Sequence, residues 1–419
     1  MDAITIRKTG NTLNGSLQLP YSKSISNRLL IIQAVAGRDF TIRHLSEASD
    51  TALLKRLLDE IAAKAGSDGM NILDTDNAGT VMRFLTAYLS FVPGKWILTG
   101  SDRMRKRPIG ILVDALKPFG AHIEYLADLG FPPVMIKGGS LHGGEIIIDP
   151  GISSQFVSAL LLIGPRIPGG LILHMRGPVV SLPYVDMTIR LLNDYGVKVI
   201  REKNKIIIPE APVIPRDYDV ETDWSSAAFW YEAVSLSEQA DLYLSGLRKD
   251  SLQGDAILAK IYRGLGVETE FLGDGIRLTR SPFSAGSLTF NFSDYPDIAP
   301  AVIATCSLLC IHGRFEGLKN LRIKESDRLM ALKKELEKLG VTLEADTAGD
   351  HIRKIETSHA MLRLEPGTEF DTHGDHRMAM TFAPLALKMG SIRIANHDVV
   401  AKSYPGFWAD LKKMGFEVE

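Results

Sequence analysis

The feature that most constrains the fold of this chain is a recurring phrase: an amphipathic helix, then a glycine, then a strand of alternating apolar and polar residues. Clear copies are VDALKPFGAHIEYL, IRLLNDYGVKVIRE and LKKELEKLGVTLEAD. A helix that ends at a glycine can close in the left-handed conformation and reverse the chain into a strand. The later marker glycines lie 76, 70, 74 and 75 residues apart and follow a weaker copy 54 residues earlier: Gly66, Gly120, Gly196, Gly266, Gly340 and Gly415.

This period predicts a pseudo-repeated α/β architecture, because solenoid repeats are shorter, about 20–50 residues. Some copies continue into a second strand; the GDG at Gly273 to Gly275 indicates a hairpin turn. The Pro-rich passage PEAPVIPRDYDV, residues 209–220, is the best linker candidate and leaves three copies on each side. A chain of 419 residues also exceeds the size at which a single core is usual. We therefore expect two repeated domains.

Composition and charge exclude several classes of protein. With 48 basic and 50 acidic residues, the chain lacks the basic excess typical of nucleic-acid binders. Its two cysteines, Cys306 and Cys310, lie four residues apart in an apolar helical run, which indicates core packing rather than a disulfide or a zinc site. The N-terminus lacks a leader pattern, and no apolar run reaches membrane-span length. We predict a soluble cytoplasmic protein that binds neither nucleic acid nor membrane.

Two polar motifs at predicted helix starts suggest anion binding. SKSISNR, Ser22 to Arg28, opens a helix with Ser22 or Ser24 as its N-cap. Two cations there would be disfavoured by the helix dipole unless an anion also binds. In NAGT, a turn at Asn77 and Gly79 leads into another helix, with Thr80 as a possible cap, and the free N–H groups could receive an anion.

The same pattern recurs at other helix starts in both halves of the chain. Each instance alone is explained by capping, by packing or by solvated charge; for Asp297, a helix cap is one such explanation. Together, cations and small hydrogen-bond donors indicate a ligand set with several phosphate and carboxylate groups. The further candidates are Arg107, Ser153, Ser154, Gln155, Ser181, Tyr184, Asp297, Asn320, Lys324, Glu325, Asp327, Arg328, Asp375, His376, Arg377 and Lys402.

Nine motifs in this order resemble the EPSP synthase family of enolpyruvyl transferases over essentially the whole chain. They are SKSISNR, NAGTVMR, RPIG, SSQF, DWSSAAFW, YPDIAP, RIKESDR, DHRMAM and AKSYPG. The resemblance implies transfer of the enolpyruvyl group of phosphoenolpyruvate to the 5-hydroxyl of shikimate 3-phosphate, with release of phosphate. This reaction belongs to chorismate and aromatic amino-acid biosynthesis. The resemblance implies these two small substrates, no cofactor, no metal and a monomer.

The fold implied by the resemblance is mixed α/β with two similar domains. Each domain has three repeated βαβαββ units with inward helices and outer sheets, and the active site lies in the cleft between the domains. In the family the N-terminal strand returns to the C-terminal domain. The implied limits are therefore residues 1–20 plus 222–419 for one domain and 21–221 for the inserted domain.

The resemblance also implies roles for individual residues. The implied shikimate 3-phosphate contacts are Lys23, Ser24, Arg28, Ser153, Ser154, Gln155, Ser181, Asp297, Asn320 and Lys324. The implied phosphoenolpyruvate contacts are Lys23, Gly79, Arg107, Gln155, Arg328, Arg377 and Lys402. The implied catalytic residues are Asp297, as acceptor of the hydroxyl proton, Glu325, which handles the vinyl-carbon proton, Lys23 and Lys324. Two opposed proton transfers need two proton-transfer groups, and neighbouring cations can give two carboxylates different pKa values for these roles.

Four positions depart from the family pattern. Tyr21 stands where glycine is usual, Phe84 where proline is usual, Leu182 where a cation is usual and Trp224 where a small residue is usual. Two other functions remain open: an enolpyruvyl transferase that acts on a UDP-sugar, and a non-catalytic protein that binds phosphorylated metabolites. The first typically carries a reactive cysteine on a polar loop, whereas both cysteines here lie in an apolar run.

Overall fold

The computed structural model describes residues 3–37, 40–149, 154–177, 179–283, 286–346, 351–356 and 362–419. The chain divides into two compact units. Unit 1 comprises Met1–Ser22, Glu47–Ser49 and Glu221–Glu419, and unit 2 comprises Lys23–Ser46 and Asp50–Val220. Within the described residues, no helix is both long enough and apolar enough to cross a membrane.

The described residues form 22 strands. The first eleven are β1 Ala3–Arg7, β2 Thr12–Gln18, β3 Ile42–Arg43, β4 Met70–Asp74, β5 Gly94–Thr99, β6 His122–Tyr125, β7 Val134–Gly138, β8 Gly144–Ile148, β9 Leu171–Met175, β10 Ile200–Glu202 and β11 Lys205–Ile208. The remaining eleven are β12 Tyr218–Asp219, β13 Gln239–Ser245, β14 Val267–Leu272, β15 Gly275–Arg280, β16 Ser287–Asn291, β17 His312–Glu316, β18 Thr342–Ala345, β19 Ile352–Glu356, β20 Thr368–Asp371, β21 Ser391–Ala395 and β22 Glu417–Val418.

Thirteen α-helices lie in the same described part of the chain. They are α1 Lys23–Ala36, α2 Ser49–Lys64, α3 Gly79–Leu89, α4 Gly110–Leu116, α5 Ser154–Ile163, α6 Leu182–Asp194, α7 Trp224–Leu236, α8 Leu258–Arg263, α9 Ala299–Leu308, α10 Arg328–Glu337, α11 His376–Phe382, α12 Ala386–Met389 and α13 Phe407–Lys413. Short 3₁₀ helices join several of them.

One sheet pattern recurs through both units. In the order β4–β5–β7–β6, the first two strands are parallel and the last two run antiparallel to their neighbours. Four more sheets repeat this arrangement, with the orders β8–β9–β11–β10, β2–β13–β15–β14, β16–β17–β19–β18 and β20–β21–β1–β22. A parallel pair of β3 and β12 stands as a shorter sixth sheet. The repeated architecture follows from this recurrence.

The marker glycines adopt the backbone conformation that the sequence predicts. All six have positive φ angles, between 76° and 94°, a region that side chains with a Cβ atom rarely enter. Each follows a helical segment and precedes the turn into a strand or extended segment. The helix–glycine–strand prediction is therefore confirmed, and the hairpin is too: Leu272 pairs with Gly275 across a two-residue turn.

The interior of unit 1 is built on three apolar helices. Every residue of α7, α9 and α11 is buried, which explains why these segments lack a polar face. They pack against one another and belong to one hydrophobic core that includes strand residues such as Ile6. Cys306 is buried on α9 as predicted. The prediction for Cys310 is wrong, because it lies beyond the end of α9, is partly exposed and has φ 55°.

Unit 2 has a corresponding helical interior. Helices α1, α3, α5 and α6 pack against one another, and nine of the ten residues of α5 are buried. The strands around them alternate between buried and more exposed residues, as along β9, so one face of each sheet covers the helices. Helices thus lie inside each unit with sheets around them, in agreement with the expected fold.

The two chain termini meet in one sheet of unit 1. Strand β1 pairs antiparallel with both β21 and β22. The backbone groups of Thr5 and Glu419 exchange two hydrogen bonds, at 2.7 and 3.0 Å. The N-terminal strand thus supplies the position that the fourth strand of a repeat occupies in the other sheets.

Candidate active site

In unit 1, Asp297 is surrounded by cations. Its carboxylate accepts hydrogen bonds from Arg377 Nη2 at 2.9 Å and Arg328 Nη1 at 3.1 Å, and Lys324 Nζ lies 3.5 Å away. The alternative of Asp297 as a helix cap is not favoured, because Ile298 holds the cap position of α9, without a side-chain hydrogen bond. Its partners come instead from chain segments 27 to 80 residues further on.

Arg328 is the centre of this ion network. Its side chain is 2% exposed and also contacts Asp375, at 2.7 Å from Nε, and Glu325, at 2.8 Å from Nη2. Asp375 is the N-cap of α11, and it also accepts the backbone N–H of Arg377 at 2.9 Å. Asp375 therefore connects Arg328 with the start of α11, where Arg377 lies. This connection helps to hold Arg328 and Arg377 beside Asp297.

The charges in this network perturb one another strongly. Burial alone would raise the pKa of Asp297, but the surrounding cations outweigh it and hold that pKa well below its ordinary value. Burial lowers the pKa of Lys324, and Asp297 opposes this shift. Burial would also lower the pKa of Arg328, yet its carboxylate partners raise it. Asp297 is thus an ionised carboxylate at neutral pH.

A second buried carboxyl group lies near Asp297. Asp255 accepts a hydrogen bond from Ser225 Oγ at 2.5 Å, while its Oδ1 is buried and has no hydrogen-bond partner among the described residues. Burial first, and then the charge of Asp297, raise the pKa of Asp255 to about 7. Ser226, next in the chain, donates to Asp223, the N-cap of α7.

Two other predicted residues of unit 1 lie on 3₁₀ helices. Asn320 is buried in Lys319–Ile323, which leads directly to Lys324. Lys402 is the last residue of His397–Lys402 and is partly exposed. The local structure thus places Asn320 four residues before Lys324, on a segment whose end carries one of the cations around Asp297.

In unit 2, Arg28 joins three helices. From α1 it donates Nε to Thr188 of α6 at 2.7 Å and Nη2 to Ser158 of α5 at 3.2 Å. It also donates to the carbonyl oxygens of Ser24, at 2.8 Å, and Tyr184, at 3.2 Å. Among the described residues, these bonds use four of its five N–H groups and leave one N–H of Nη1.

Lys23 is the first residue of α1 and pairs with an acidic residue that the sequence analysis missed. Its Nζ lies 3.2 Å from Asp50 Oδ2, on the first turn of α2, and both side chains are largely buried. No single-motif signal identifies Asp50, since an acidic residue in a first turn is also an ordinary helix feature.

Gly79 begins α3 in close contact with arginines. A Cβ atom at this position would lie 2.5 Å from Arg107 Nη2 and 2.8 Å from Arg83 Nη1. Arg107 also donates to the carbonyl of Asn77 at 3.1 Å. Glycine avoids this overlap, because the two guanidinium groups lie close to the backbone at this position. The structure thus brings Gly79 and Arg107 together.

The start of α3 is linked to the start of α5. The possible cap Thr80 is instead the second residue of α3. Its Oγ1 accepts a hydrogen bond from Gln155 Nε2 at 3.3 Å. Gln155 and Ser154 are the first two residues of α5. Ser153 lies outside the described residues.

Ser181 precedes α6 in an unusual backbone conformation. Its φ is 55°, and its side chain makes no capping hydrogen bond although it occupies the cap position. A residue with a Cβ atom adopts this left-handed conformation at some energetic cost, which is a recurrent feature of binding sites. The buried hydroxyl of Ser181 is therefore a ligand contact candidate rather than a cap.

Among the described residues, no group of three or more His, Cys, Asp or Glu side chains could hold a metal ion. The clustered carboxylates are instead paired with arginines and lysines. The arrangement can bind anions and exchange protons.

Comparison with known proteins identifies the family. Residues 7–411 match the family model of EPSP synthase (3-phosphoshikimate 1-carboxyvinyltransferase). The chain belongs to the EPSP synthase family. A 3-phosphoshikimate 1-carboxyvinyltransferase from Bacteroides fragilis strain YCH46 is 43% identical, with 97% of each chain covered. One from Shewanella sp. strain MR-7 is 35% identical, with 96% of this chain and 97% of the relative covered.

The fold agrees with solved structures of the family. An EPSP synthase from Acinetobacter baumannii matches with a TM-score of 0.76 at 24% identity, covering 100% of this chain and 99% of that one. At this identity the likeness supports the fold alone. The predicted EPSP synthase family, enolpyruvyl transferase class and fold are confirmed.

Proposed function

We propose that this enolpyruvyl transferase joins phosphoenolpyruvate to the 5-hydroxyl of shikimate 3-phosphate, giving 5-enolpyruvylshikimate 3-phosphate and phosphate. The observation that carries the proposal is the network around Asp297, where an ionised carboxylate is held by three cations and Glu325 shares one of them. It sits in a chain whose relatives, along nearly their whole length, are 3-phosphoshikimate 1-carboxyvinyltransferases.

The proposed proton acceptor is Asp297. In the addition step the 5-hydroxyl oxygen bonds to C2 of phosphoenolpyruvate, the hydroxyl proton passes to Asp297, and the vinyl CH2 gains a proton to become CH3. In elimination the C2–O bond to phosphate breaks, and a methyl proton leaves to restore the CH2. Glu325 handles the proton at this carbon, so two carboxylates serve two opposed transfers.

Substrate binding would itself strengthen Asp297 as a base. Arg328 and Arg377 are both paired with Asp297, and we assign these arginines to phosphoenolpyruvate. When the carboxylate and phosphate of phosphoenolpyruvate engage them, less positive charge acts on Asp297. The pKa of Asp297 then rises towards a value at which it accepts a proton more effectively.

The cations of unit 2 are proposed to bind the anionic groups of the substrates. Lys23, Arg28 and Arg107 carry three positive charges, and Asp50 pairs with the first of them. The shikimate 3-phosphate set includes Lys23, Ser24, Arg28, Ser153, Ser154, Gln155, Ser181, Asp297, Asn320 and Lys324. The phosphoenolpyruvate set includes Lys23, Gly79, Arg107, Gln155, Arg328, Arg377 and Lys402. Both reactants would thus be held in register while charge develops on the leaving phosphate.

A direct assay tests this function against its two alternatives. Purified protein is incubated with phosphoenolpyruvate and, in separate reactions, shikimate 3-phosphate, unphosphorylated shikimate or a UDP-sugar, and free phosphate and product mass are measured. We expect rapid phosphate release and the enolpyruvyl adduct with shikimate 3-phosphate only. Reaction with the UDP-sugar instead would favour the sister transferase. Binding of the ligands by folded protein without turnover would favour a non-catalytic binder.

The location and assembly of the chain are also proposals. We propose a monomer, because all the residues assigned to the two substrates come from this one chain. We also propose that it works in the cytoplasm, with which membership of a biosynthetic enzyme family is compatible. Light scattering coupled to size exclusion, with and without both substrates, tests the assembly. A stable dimer under assay conditions would contradict it.

A further inference from the structure

Arg28 is a buried cation with uncharged partners. Its residue is 3% exposed, and in the described part of the chain all four acceptors of its hydrogen bonds are hydroxyl or carbonyl oxygens. Removing a charge from water is costly unless other groups compensate for the lost solvation. Burial accordingly lowers the pKa of Arg28 to about 10. Some other feature must stabilise the guanidinium before an anion arrives.

Two aromatic rings face this guanidinium. The ring centroid of Phe84 lies 5.6 Å from its central carbon, and that of Tyr184 lies 5.9 Å away. The face of an aromatic ring attracts a cation, and the attraction is strongest where water is excluded. Phe84 is 1% exposed, so its contact with Arg28 is desolvated on both sides.

Among the described residues, Phe84 contacts Arg28 through its ring alone, whereas Tyr184 combines a ring contact with a hydrogen bond to its carbonyl oxygen. The hydrogen bonds connect Arg28 to α5 and α6 and to the first turn of its own helix, α1. Among the described residues, helix α3 reaches this guanidinium through the ring of Phe84 rather than through a hydrogen bond. A ring contact uses none of the N–H groups of the guanidinium, whereas another hydrogen-bond acceptor would compete with a ligand.

We propose that Phe84 is a positioning residue for shikimate 3-phosphate, whose ring holds the Arg28 guanidinium so that its remaining N–H and its charge face the bound anion. This inference rests on the proposed contact between Arg28 and shikimate 3-phosphate. A flat apolar side chain stabilises the cation without neutralising it. A carboxylate at the same place would instead cancel the charge that attracts the ligand.

The test replaces the ring while keeping apolar volume. Phe84→Leu removes the aromatic face, and Phe84→Tyr retains it. Phe119→Leu is the matched control, because Phe119 is also 1% exposed in unit 2 and has no cation over its ring among the described residues. The dissociation constant of shikimate 3-phosphate is measured by titration calorimetry, the KM for phosphoenolpyruvate and kcat by phosphate release, and the unfolding midpoint by thermal denaturation.

We expect Phe84→Leu to weaken shikimate 3-phosphate binding by about three- to thirtyfold, the range of a desolvated cation–π contact. Phe84→Tyr should bind within about twofold of the unmodified protein. Phe119→Leu should lower the unfolding midpoint by a similar amount to Phe84→Leu but leave binding unchanged. An equal loss of binding in Phe119→Leu would attribute the effect to general packing and overturn the inference.

A double-mutant cycle with Arg28→Ala distinguishes a failure of the proposed role of Phe84 from a failure of the proposed role of Arg28. If Phe84 acts through Arg28, adding Phe84→Leu to Arg28→Ala should cause no further loss of binding. Unchanged binding in Arg28→Ala would refute the proposed role of Arg28 itself. A strong effect of Arg28→Ala with none from Phe84→Leu, or a loss in Phe84→Leu that persists without Arg28, would overturn the role of Phe84 alone.

Discussion

At the scale of single residues, Asp297 shows how burial and charge compete. Desolvation favours its neutral form, yet three nearby cations favour the carboxylate more strongly. With its side chain 17% exposed, it remains open to a reactant. If the anionic groups of phosphoenolpyruvate engage these cations as proposed, the pKa of Asp297 rises and the carboxylate accepts a proton more effectively.

Replacing Asp297 by Asn should separate catalysis from binding. Because Asn cannot accept the hydroxyl proton, we expect kcat to fall by about 10²–10⁴-fold. The KM for phosphoenolpyruvate should stay the same or decrease, since Arg377 and Arg328 lose a competing carboxylate. Steady-state kinetics measure both values. Asp327→Asn is the control, because Asp327 is the N-cap of α10 and Asn caps equally well; a kcat for Asp297→Asn close to this control would remove Asp297 from the proposed role.

Asp255 should make stability depend on pH. Its pKa of about 7 in the folded protein lies above its ordinary value of 3.8, so the folded state binds this proton more tightly than the unfolded chain does. The stability that the protonated acid contributes is therefore present at low pH and is lost as the pH rises from about 4 to about 7. Asp255→Asn, which cannot ionise, should be free of this loss.

The measurement compares unfolding midpoints of Asp255→Asn and the unmodified protein at about pH 5 and about pH 8. As the pH rises, we expect the unfolding midpoint of Asp255→Asn to increase relative to that of the unmodified protein. The solvent-exposed Asp250→Asn should show the same difference at both pH values. A constant difference for Asp255→Asn as well would mean that Asp255 is ionised throughout this range.

At the scale of elements, helix starts organise the candidate site. In unit 2, the first turns of α3 and α5 are linked by Thr80 and Gln155, and Arg28 connects α1 with α5 and α6. Helix N-termini carry partial positive charge and free N–H groups. Cations near a helix N-terminus are electrostatically unfavourable by themselves and become favourable beside a bound anion. The proposed binding of a substrate anion would therefore account for Lys23 and Arg28 near the start of α1.

Gly79→Ala tests the packing at the start of α3. The added methyl would overlap the guanidinium of Arg107, which is a side-chain end that can move. We expect the KM for phosphoenolpyruvate to rise by about tenfold, as one charged hydrogen-bonded contact is displaced, while thermal stability changes little. Gly139→Ala, where an added Cβ meets no atom within 4 Å, is the control. An unchanged KM for phosphoenolpyruvate in Gly79→Ala would contradict the proposed contacts of Gly79 and Arg107 with that substrate.

At the scale of the whole molecule, one sheet of unit 1 depends on the chain's first strand. Strand β1 lies between β21 and β22, and its Ile6 is fully buried in the hydrophobic core. The sheet order of the other repeats is thus completed by residues far away in sequence. Local contacts within the last repeat cannot supply this strand, so we expect the stability of unit 1 to depend on the pairing of β1 with β21 and β22.

Ile6→Ala should therefore destabilise unit 1 as a core mutation does. We expect a loss of about 2–5 kcal/mol in the free energy of unfolding, since the methyl groups removed leave a cavity. Denaturant unfolding monitored by tryptophan fluorescence is suitable because Trp224 and Trp230 belong to the same core. Arg7→Ala is the control, as its pair with Glu419 is exposed and contributes little. Equal midpoints for the two variants would show that β1 is dispensable.

The amino-acid sequence by itself determined the repeated elements. A glycine at a helix end, an alternating strand and a two-residue hairpin turn are encoded within about ten residues, so six left-handed glycines and the Gly273–Asp274 turn could be predicted. The order of nine short motifs likewise determined the family. Local patterns also placed Arg28, Gly79, Ser154 and Asp297 at or near helix starts, although not what each side chain contacts.

Only the tertiary structure decided which charges are paired. Asp297 has the pattern of a cap, yet its partners lie up to 80 residues away, and Asp50, Asp255 and the link between Asp375 and Arg328 carry no local signal. The sequence marks Phe84 as a departure from the family pattern, but its contact with Arg28 depends on the packing of α3 beside α1. Electrostatic and cation–π energies depend on distance in space and on exclusion of water, and both are set by packing rather than by neighbours in sequence.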